Sequence, residues 1–173
     1  WFEAHPHPLQ NRWQQDIGMT LLLQDVTERY QLQQQLKQFA EIDALTGLLN
    51  RRMILQHLAL WLQATPVRPL SVLLFDIDNF KQLNDSRGHL VGDEMLAALA
   101  PALHAHLPQQ AWFGRYGGDE FLILLPELNE SAALAVANQL NHISQPLLAI
   151  SLSIGVAQWH PALSQNELLH CAD

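Results

Sequence analysis

Four acidic residues occur as two pairs, each beside an apolar segment. Asp76 and Asp78 follow the apolar run 70–75, and Asp119 and Glu120 follow a glycine pair that separates two further apolar runs. Such runs predict buried strands, and a glycine pair between two of them predicts a hairpin. Any one acid alone fits a turn or a helix cap. If the strand ends are neighbours, however, Asp76 and Asp119 come within reach of a divalent cation, which prefers carboxylate oxygens and can bridge them to a triphosphate.

The polar segment after the first of these strands carries side chains suited to a nucleotide. A polar turn there is expected to cradle phosphate groups with its backbone amides, and Lys81 adds a positive charge. Asn84 and Asp93 supply an amide and a carboxylate suited to the Watson–Crick edge of guanine, whose N1 and N2 donors a carboxylate accepts together. His89 lies in the same segment, although a lone histidine in a turn is more often an ordinary surface or core residue.

Apolar periodicity predicts the elements that must hold these residues. Strands are expected at 19–25, 70–75, 111–116 and 121–125 and through the alternating positions 148–156; helices are expected at 52–63 and 91–107, after Asn129 as N-cap, and from about residue 161. The apolar stripes expected to face the core are Ile54 and Leu58 in the first helix and Leu134, Ala137 and Leu140 in the helix after Asn129.

The order of these elements predicts the fold. From residue 70 onward it is strand, helix, hairpin, helix, strand, which indicates an α/β fold of the α+β palm type. Its centre would be a mostly antiparallel, ferredoxin-like βαββαβ sheet with helices on one face. Pro101 lies inside the predicted helix 91–107 and predicts a kink or a break there.

The composition excludes several classes of protein. With 17 acidic and 9 basic residues, the formal charge of −8 does not suit the backbone of DNA or RNA. The single Cys171 excludes a disulfide framework and suits the reducing cytoplasm. No apolar run approaches the roughly 20 residues of a membrane helix. Because the chain begins at Trp1 without Met and stops at Asp173, we expect it to be a fragment of a longer protein.

Residues 27–41 predict a polar, glutamine-rich helix with one apolar stripe, formed by Leu32, Leu36 and Phe39. The stripe suits a helix packed on its own domain. It suits equally a short parallel coiled coil between two subunits.

The segment 115–121 reads RYGGDEF and resembles the signature that names the GGDEF family of diguanylate cyclases. Segments 43–51, 76–93 and 153–157 resemble other blocks of that family, in the same order. Residues 19–29 resemble, over a short stretch, the end of a PAS sensor domain. These likenesses divide the chain into 1–26 as the end of a PAS-like sensor module, 27–41 as a signalling helix, and 42–173 as a GGDEF catalytic domain truncated at its C-terminus.

The resemblance implies a metal site and a catalytic role for the hairpin. Mg²⁺, with Mn²⁺ as the alternative, would be held by Asp76, the backbone carbonyl of Ile77 and Asp119. Glu120 would assist at the metal or at the attacking hydroxyl.

The resemblance also implies how GTP is bound. Asn84 and Asp93 would read the guanine, and His89 would lie near the bound nucleotide. Phe80 and Lys81 would contact the phosphates.

The implied reaction joins two GTP molecules into cyclic di-GMP. The 3′-hydroxyl of one GTP attacks the α-phosphorus of the other and expels pyrophosphate. Since one site holds one GTP, two subunits must face each other as a homodimer, and the stripe at Leu32, Leu36 and Phe39 would set their relative position according to the state of the sensor.

Two departures from the family pattern carry expectations. Members inhibited by their product have an Arg-x-x-Asp before the hairpin, whereas this chain has Pro108 and Ala111 there, so we expect no feedback through that site. The family's terminal block, with a basic residue for phosphate, would follow Asp173, so the chain as it stands is expected to be weakened or inactive.

Two other functions remain open at the level of sequence. A GGDEF domain without turnover would bind GTP or a protein partner, although the intact motif argues against this. A nucleotidyl cyclase with a mononucleotide product would share the palm and the acids.

Overall fold

A computed structural model describes residues 1–32 and 41–173, except for the side chain of Leu147. The chain divides into two units, Trp1–Ala40 and Glu41–Asp173, and each is considered by itself. Within the described ranges, no helix is long and apolar enough to cross a membrane. Leu36 and Phe39 of the predicted stripe lie outside the described residues.

The first unit contains an antiparallel hairpin of β1 (Phe2–Gln10) and β2 (Asp16–Asp25). The strand predicted at 19–25 is confirmed within β2, whereas the sequence left residues 1–17 unassigned. Residues 27–32 are helical, and the Asp25 carboxylate accepts a hydrogen bond from the Thr27 N–H at 2.9 Å. Asp25 therefore caps an N–H group at the start of this helix. The further interpretation of these residues as a sensor end and a signalling helix stays a prediction.

The second unit is built on a four-stranded antiparallel sheet. Its strands are β3 (Leu70–Ile77), β4 (Trp112–Arg115), β5 (Phe121–Pro126) and β6 (Leu152–Gln158), in the spatial order β4-β5-β3-β6. The hairpin β4–β5 and its position next to β3 confirm the sequence prediction. Because β3 runs antiparallel to β5, with Phe75 opposite Phe121, the end of β3 and the β4–β5 turn lie at the same end of the sheet.

Helices cover both faces of this sheet. They are α1 (Arg51–Leu62), α2 (Phe80–Arg87), α3 (His89–His104), α4 (Glu130–Leu148) and α5 (Gln165–Ala172). On one face, Leu73 and Phe75 of β3 pack with Leu99 and Leu140; on the other, Val72 packs with residues of α1 and α5. The prediction of helices on one face only is therefore wrong. Consecutive apolar residues of β3 point to opposite faces, and both faces need a cover.

Two predicted helices differ from those observed, and α2 was not predicted. The helix predicted at 91–107 is observed as α3, which begins at His89 and ends at His104. A separate helix, α2, precedes it, and only Gly88 lies between the two. α3 runs through Pro101 without a break, since its buried neighbours Ala100 and Leu103 hold the helix on the sheet despite the missing N–H. The last helix begins after Ser164, whose side chain forms a capping box with Glu167.

The buried stripe of α4 and the start of β6 differ from the prediction. Leu134 is 45% exposed, and the buried stripe of α4 is Ala133, Ala137 and Leu140. β6 begins only at Leu152, because α4 extends to Leu148 and is capped by Asn129 as expected.

Candidate active site

The register of β3 brings its last residues to the β4–β5 turn. Phe75 pairs with Phe121 of β5, and Asp76 pairs with Ser153 of β6. Continued two residues beyond Phe121, the same register sets Asp119 opposite Ile77. The Ile77 side chain is buried, whereas its backbone carbonyl is turned toward the β5 side, because alternate residues of β3 bond to alternate neighbours.

The carboxylate of Asp76 is destabilised by its surroundings. Its pKa is raised above the ordinary value, first by partial burial and then by the negative charges of Asp78 and Asp119. The contribution of Asp119 agrees with the register of β3 and β5, which brings the two residues to adjoining strand ends. A cation between them would relieve this repulsion.

Asp78 belongs to a different set of contacts. Its carboxylate accepts a hydrogen bond from the Ser153 hydroxyl at 2.7 Å, and hydrogen bonds with Ser151 and Ser153 lower its pKa. The Asp78 side chain thus forms a hydrogen bond that joins the end of β3 to β6. This contact fixes the backbone next to Asp76, whose own carboxylate is available for a ligand.

The β4–β5 turn is held by its own backbone. The N–H groups of Tyr116 and Gly117 both donate to the carbonyl of Glu120, at 2.8 and 3.1 Å. Neither Gly117 nor Gly118 has a positive φ, so the type I′ turn that a glycine pair suggests is absent from this described hairpin. No described atom lies within 4 Å of the position where a Gly118 side chain would begin, which leaves the turn open at that point.

A cavity of about 440 Å³ adjoins the two strand ends. Asp76 and Glu120 line it, together with Ser153 of β6 and Asp173 after α5. Its volume lies in the range of small-molecule sites, of the order of 300–1,000 Å³. The sequence had assigned no role to Asp173, and only the packing of α5 on β6 brings it here.

The start of α2 replaces the polar turn expected after β3. Asn79 has a left-handed conformation, with φ of 59°, and in the described part of the chain its side chain caps none of the α2 amides. The first-turn N–H groups of α2 therefore remain open to an anion, a feature typical of phosphate-binding helix starts. Lys81 is exposed in this turn, and Phe80 is half-buried against the core.

The predicted guanine readers lie on two adjacent helices. Asn84 is on α2 and Asp93 on α3, with Asp93 exposed and Asn84 half-buried. His89 is the first residue of α3 and is exposed.

Segment 43–51 holds the hairpin from the side opposite β5. Leu49 accepts a hydrogen bond from the Arg115 N–H at 2.8 Å, and its own N–H donates to the Phe113 carbonyl at 3.2 Å. The Arg51 guanidinium lies 4.7 Å from the centre of the Tyr116 ring. The sequence singled out this segment by resemblance alone, and its role as a support of the turn is visible only in the structure.

The donor set fits a cation that brings other ligands with it. In the ranges that the structure describes, no three His, Cys, Asp or Glu side chains form a cluster that would hold a metal by themselves. Asp76, Asp119 and the Ile77 carbonyl would supply part of the oxygen ligands of such a cation. Mg²⁺ is usually held in this way, by one or two carboxylates with substrate phosphates and water completing the shell.

Comparison with known proteins identifies a family and several relatives. The family described as "Diguanylate cyclase, GGDEF domain" matches residues 40–173. Diguanylate cyclase DgcM of Escherichia coli (strain K12) is 37% identical over 172 residues, which cover 91% of this chain and 40% of that protein. Cyclic di-GMP phosphodiesterase PdeB of Shewanella oneidensis is 36% identical over 175 residues, covering 94% of this chain and 20% of PdeB. The chain thus spans less than half of either relative.

Solved structures share the fold. Diguanylate cyclase SiaD from Pseudomonas aeruginosa, in complex with its activator SiaC, superposes with a TM-score of 0.75 at 31% sequence identity, covering 86% of this chain and 63% of SiaD. The family match extends over the whole second unit, including the strand ends, the open turn and both predicted guanine readers. The chain therefore belongs to the GGDEF domain family of diguanylate cyclases.

Proposed function

We propose that this chain is the catalytic part of a diguanylate cyclase that converts two GTP into cyclic di-GMP and two pyrophosphates. The observation that carries the proposal is the register of β3 and β5, which brings Asp76 and Asp119 to adjoining strand ends, beside a nucleotide-sized cavity that Asp76 lines. Such a pair is stable when a divalent cation and a triphosphate join it.

Separate groups of residues would bind the metal ion and the phosphates of GTP. Asp76, Asp119 and the Ile77 carbonyl would hold Mg²⁺ or Mn²⁺, and this ion supplies charge neutralisation at the transferring phosphorus. The open first turn of α2, with the backbone at Phe80 and the charge of Lys81, binds the phosphates.

The base lies toward the junction of α2 and α3. Asn84 and Asp93 read guanine, and His89 lies near the nucleotide. This arrangement favours GTP over ATP, because only guanine presents the N1 and N2 donors that the Asp93 carboxylate accepts.

Glu120 would take the proton of the attacking hydroxyl. It is exposed, lines the cavity with Asp76 and has no neighbouring cation to neutralise it among the contacts described. The 3′-oxygen of one GTP forms a bond to the α-phosphorus of the other, the bond from that phosphorus to the bridging oxygen breaks, and pyrophosphate leaves. The hydroxyl proton passes to Glu120 or to water.

Each domain binds one GTP, so the reaction needs a homodimer with two facing sites. Residues 27–41 would align the two subunits, and an N-terminal sensor would control that alignment. GTP as substrate and the single thiol at Cys171 suit a cytoplasmic location.

The test is product formation. The purified chain, and a version extended to the family's terminal block, are incubated with GTP and Mg²⁺, and cyclic di-GMP is separated by chromatography. Asp119→Ala should lower the rate by about 10²-fold or more, whereas Glu127→Ala, which removes an exposed acid paired with Arg68 at 3.6 Å, should not. Equal product from the wild-type protein and Asp119→Ala would refute the site, and a mononucleotide product would refute the reaction.

A GGDEF domain that binds GTP without turnover is the second candidate. It is favoured by one observation, the 36% identity to a protein named as a phosphodiesterase. GTP binding that requires Mg²⁺, with no cyclic di-GMP from either version of the protein, would select this candidate.

A further inference from the structure

Gly92 lies where α3 passes closest to α2. It is buried in the first part of α3, and a Cβ atom added to it would overlap the Asn84 Oδ1 of the facing helix. The same Cβ would lie 3.0 Å from Asn84 Cγ and 3.1 Å from Phe80 Cζ. The space left by the missing side chain at position 92 is thus occupied by the end of Asn84.

The backbone gives no local reason for a glycine at this position. Gly92 is helical and does not have a positive φ, in contrast to Gly88 four residues earlier. In a helix interior alanine is preferred to glycine, because glycine loses more conformational freedom. The reason for glycine therefore lies in the packing against Asn84 and Phe80.

The side-chain amide of Asn84 is buried in a position that is unfavourable for the stability of the fold. Its Oδ1 is fully buried and has no hydrogen-bond donor among the described residues. An unpaired buried acceptor is unfavourable, so the position of this amide is costly for the fold. The backbone of Asn84 is fixed meanwhile, because its carbonyl accepts a hydrogen bond from the Gly88 N–H at 2.8 Å.

We infer that Gly92 is a positioning residue for base recognition, since it provides the space in which the Asn84 amide is held against α3. The inference rests on the proposed function, in which Asn84 reads guanine. A methyl group at position 92 moves the amide out of this space. The neighbours it meets are side-chain atoms rather than backbone, so the two helices can stay in place while the amide leaves.

The discriminating quantity is the preference for guanine over adenine, because both nucleotides carry the same triphosphate. Binding is measured by calorimetry with Mg²⁺ and the non-reacting αβ-methylene analogues of GTP and ATP. We expect Gly92→Ala and Asn84→Ala each to reduce the preference by about tenfold, the equivalent of one hydrogen bond to the base. Affinity for the ATP analogue should change by less than about threefold, since the phosphate contacts are untouched.

A double-mutant cycle separates positioning from a general structural effect. If Gly92 acts through Asn84, adding Gly92→Ala to Asn84→Ala should reduce the preference by no more than about a further twofold. Gly18→Ala is the matched control: it adds the same methyl group, which makes an ordinary 3.9 Å contact with Leu9 Cδ1, and it should change nothing.

Each outcome decides the inference. A Gly92→Ala protein that is folded by thermal melting and keeps the wild-type preference would overturn it, as would full additivity of the two substitutions. Should Gly92→Ala fail to fold, recovery of folding in the double variant supports the shared space, and failure of both overturns it. A wild-type protein that does not distinguish the two analogues would instead refute the proposed function, a result separate from any property of Gly92.

Discussion

Asp43 and Arg115, separated by 72 residues in sequence, form an ion pair in which Arg115 Nη1 lies 3.3 Å from both carboxylate oxygens of Asp43. The same guanidinium donates to the Gly118 carbonyl through Nε and Nη2, at 3.0 and 2.8 Å. Asp43 in turn accepts hydrogen bonds from the Thr46 hydroxyl and N–H, at 2.7 and 2.9 Å. The pair therefore connects the start of the second unit to the turn that precedes Asp119.

Loss of this ion pair should weaken both the fold and the turn. Asp43→Ala leaves the Arg115 guanidinium, whose side chain is only 18% exposed, without its anionic partner. We expect the free energy of unfolding in urea to fall by about 1–3 kcal/mol, together with the rate of product formation. The matched control is Glu127→Ala, which breaks the exposed pair with Arg68 and should cost at most about 1 kcal/mol. Equal losses in the two variants would contradict the role given to Asp43.

Stability should depend on the charge of Asp43 in acid. Partial burial tends to raise the pKa of Asp43, but hydrogen bonds from Thr46 and the charge of Arg115 outweigh it and hold the pKa below the ordinary value. The folded state therefore binds this proton less readily than the unfolded state. The resulting stabilisation is complete above about pH 4, the ordinary carboxyl range, and is lost as the pH falls through the lowered pKa.

Denaturation curves between about pH 2 and 6 check this prediction against Asp43→Asn, which cannot titrate. The stability difference between the wild-type protein and the variant should shrink as the solution becomes more acidic. A difference that stayed constant over the whole range would show that the carboxylate charge contributes nothing.

Gly114→Ala should destabilise the contact between β4 and α1. An added Cβ would lie 2.7 Å from Ile54 Cβ and 3.0 Å from the Leu49 carbonyl oxygen, two groups that cannot rotate away. We expect a loss of about 1–3 kcal/mol in unfolding free energy, as for overpacked cores. Gly118→Ala, whose new methyl group meets no described atom within 4 Å, is the control and should melt close to the wild-type temperature.

Two leucines of α4 should respond differently to truncation. Leu140 is fully buried, so Leu140→Ala should lower the unfolding free energy by about 2–5 kcal/mol through lost burial and a residual cavity. Leu134 is 45% exposed, and Leu134→Ala should change it by about 0.5 kcal/mol or less. Chemical denaturation of both variants gives the two losses in unfolding free energy. A larger loss for Leu134→Ala than for Leu140→Ala would show that Leu134 faces the core, as periodicity alone suggested.

Much of the second unit could be predicted from the sequence because its signals are local. The strand before Asp76, the hairpin around Asp119 and the cap at Asn129 depend on residues within a few positions of each other. The candidate site residues follow from the same local motifs. Their meeting at one end of the sheet follows from the adjacency of β3 and β5, which the order of elements already indicated.

Other features depended on partners far away in sequence, and only the tertiary structure decided them. Ala133 and Leu134 are both apolar neighbours on α4, and the surface they meet determines which is buried. Contacts between segments distant in sequence also explain three other features: helices on both faces of the sheet, the uninterrupted α3 at Pro101, and the ion pair from Asp43 to Arg115. The sequence by itself determined most strands of the second unit and which residues are candidates for the site, because these signals act over short stretches of chain; it missed β1 and the separate helix α2. The packing of elements against one another decided which side chains are buried and which hold the active turn in place, since burial and contact free energies exist only once distant segments meet.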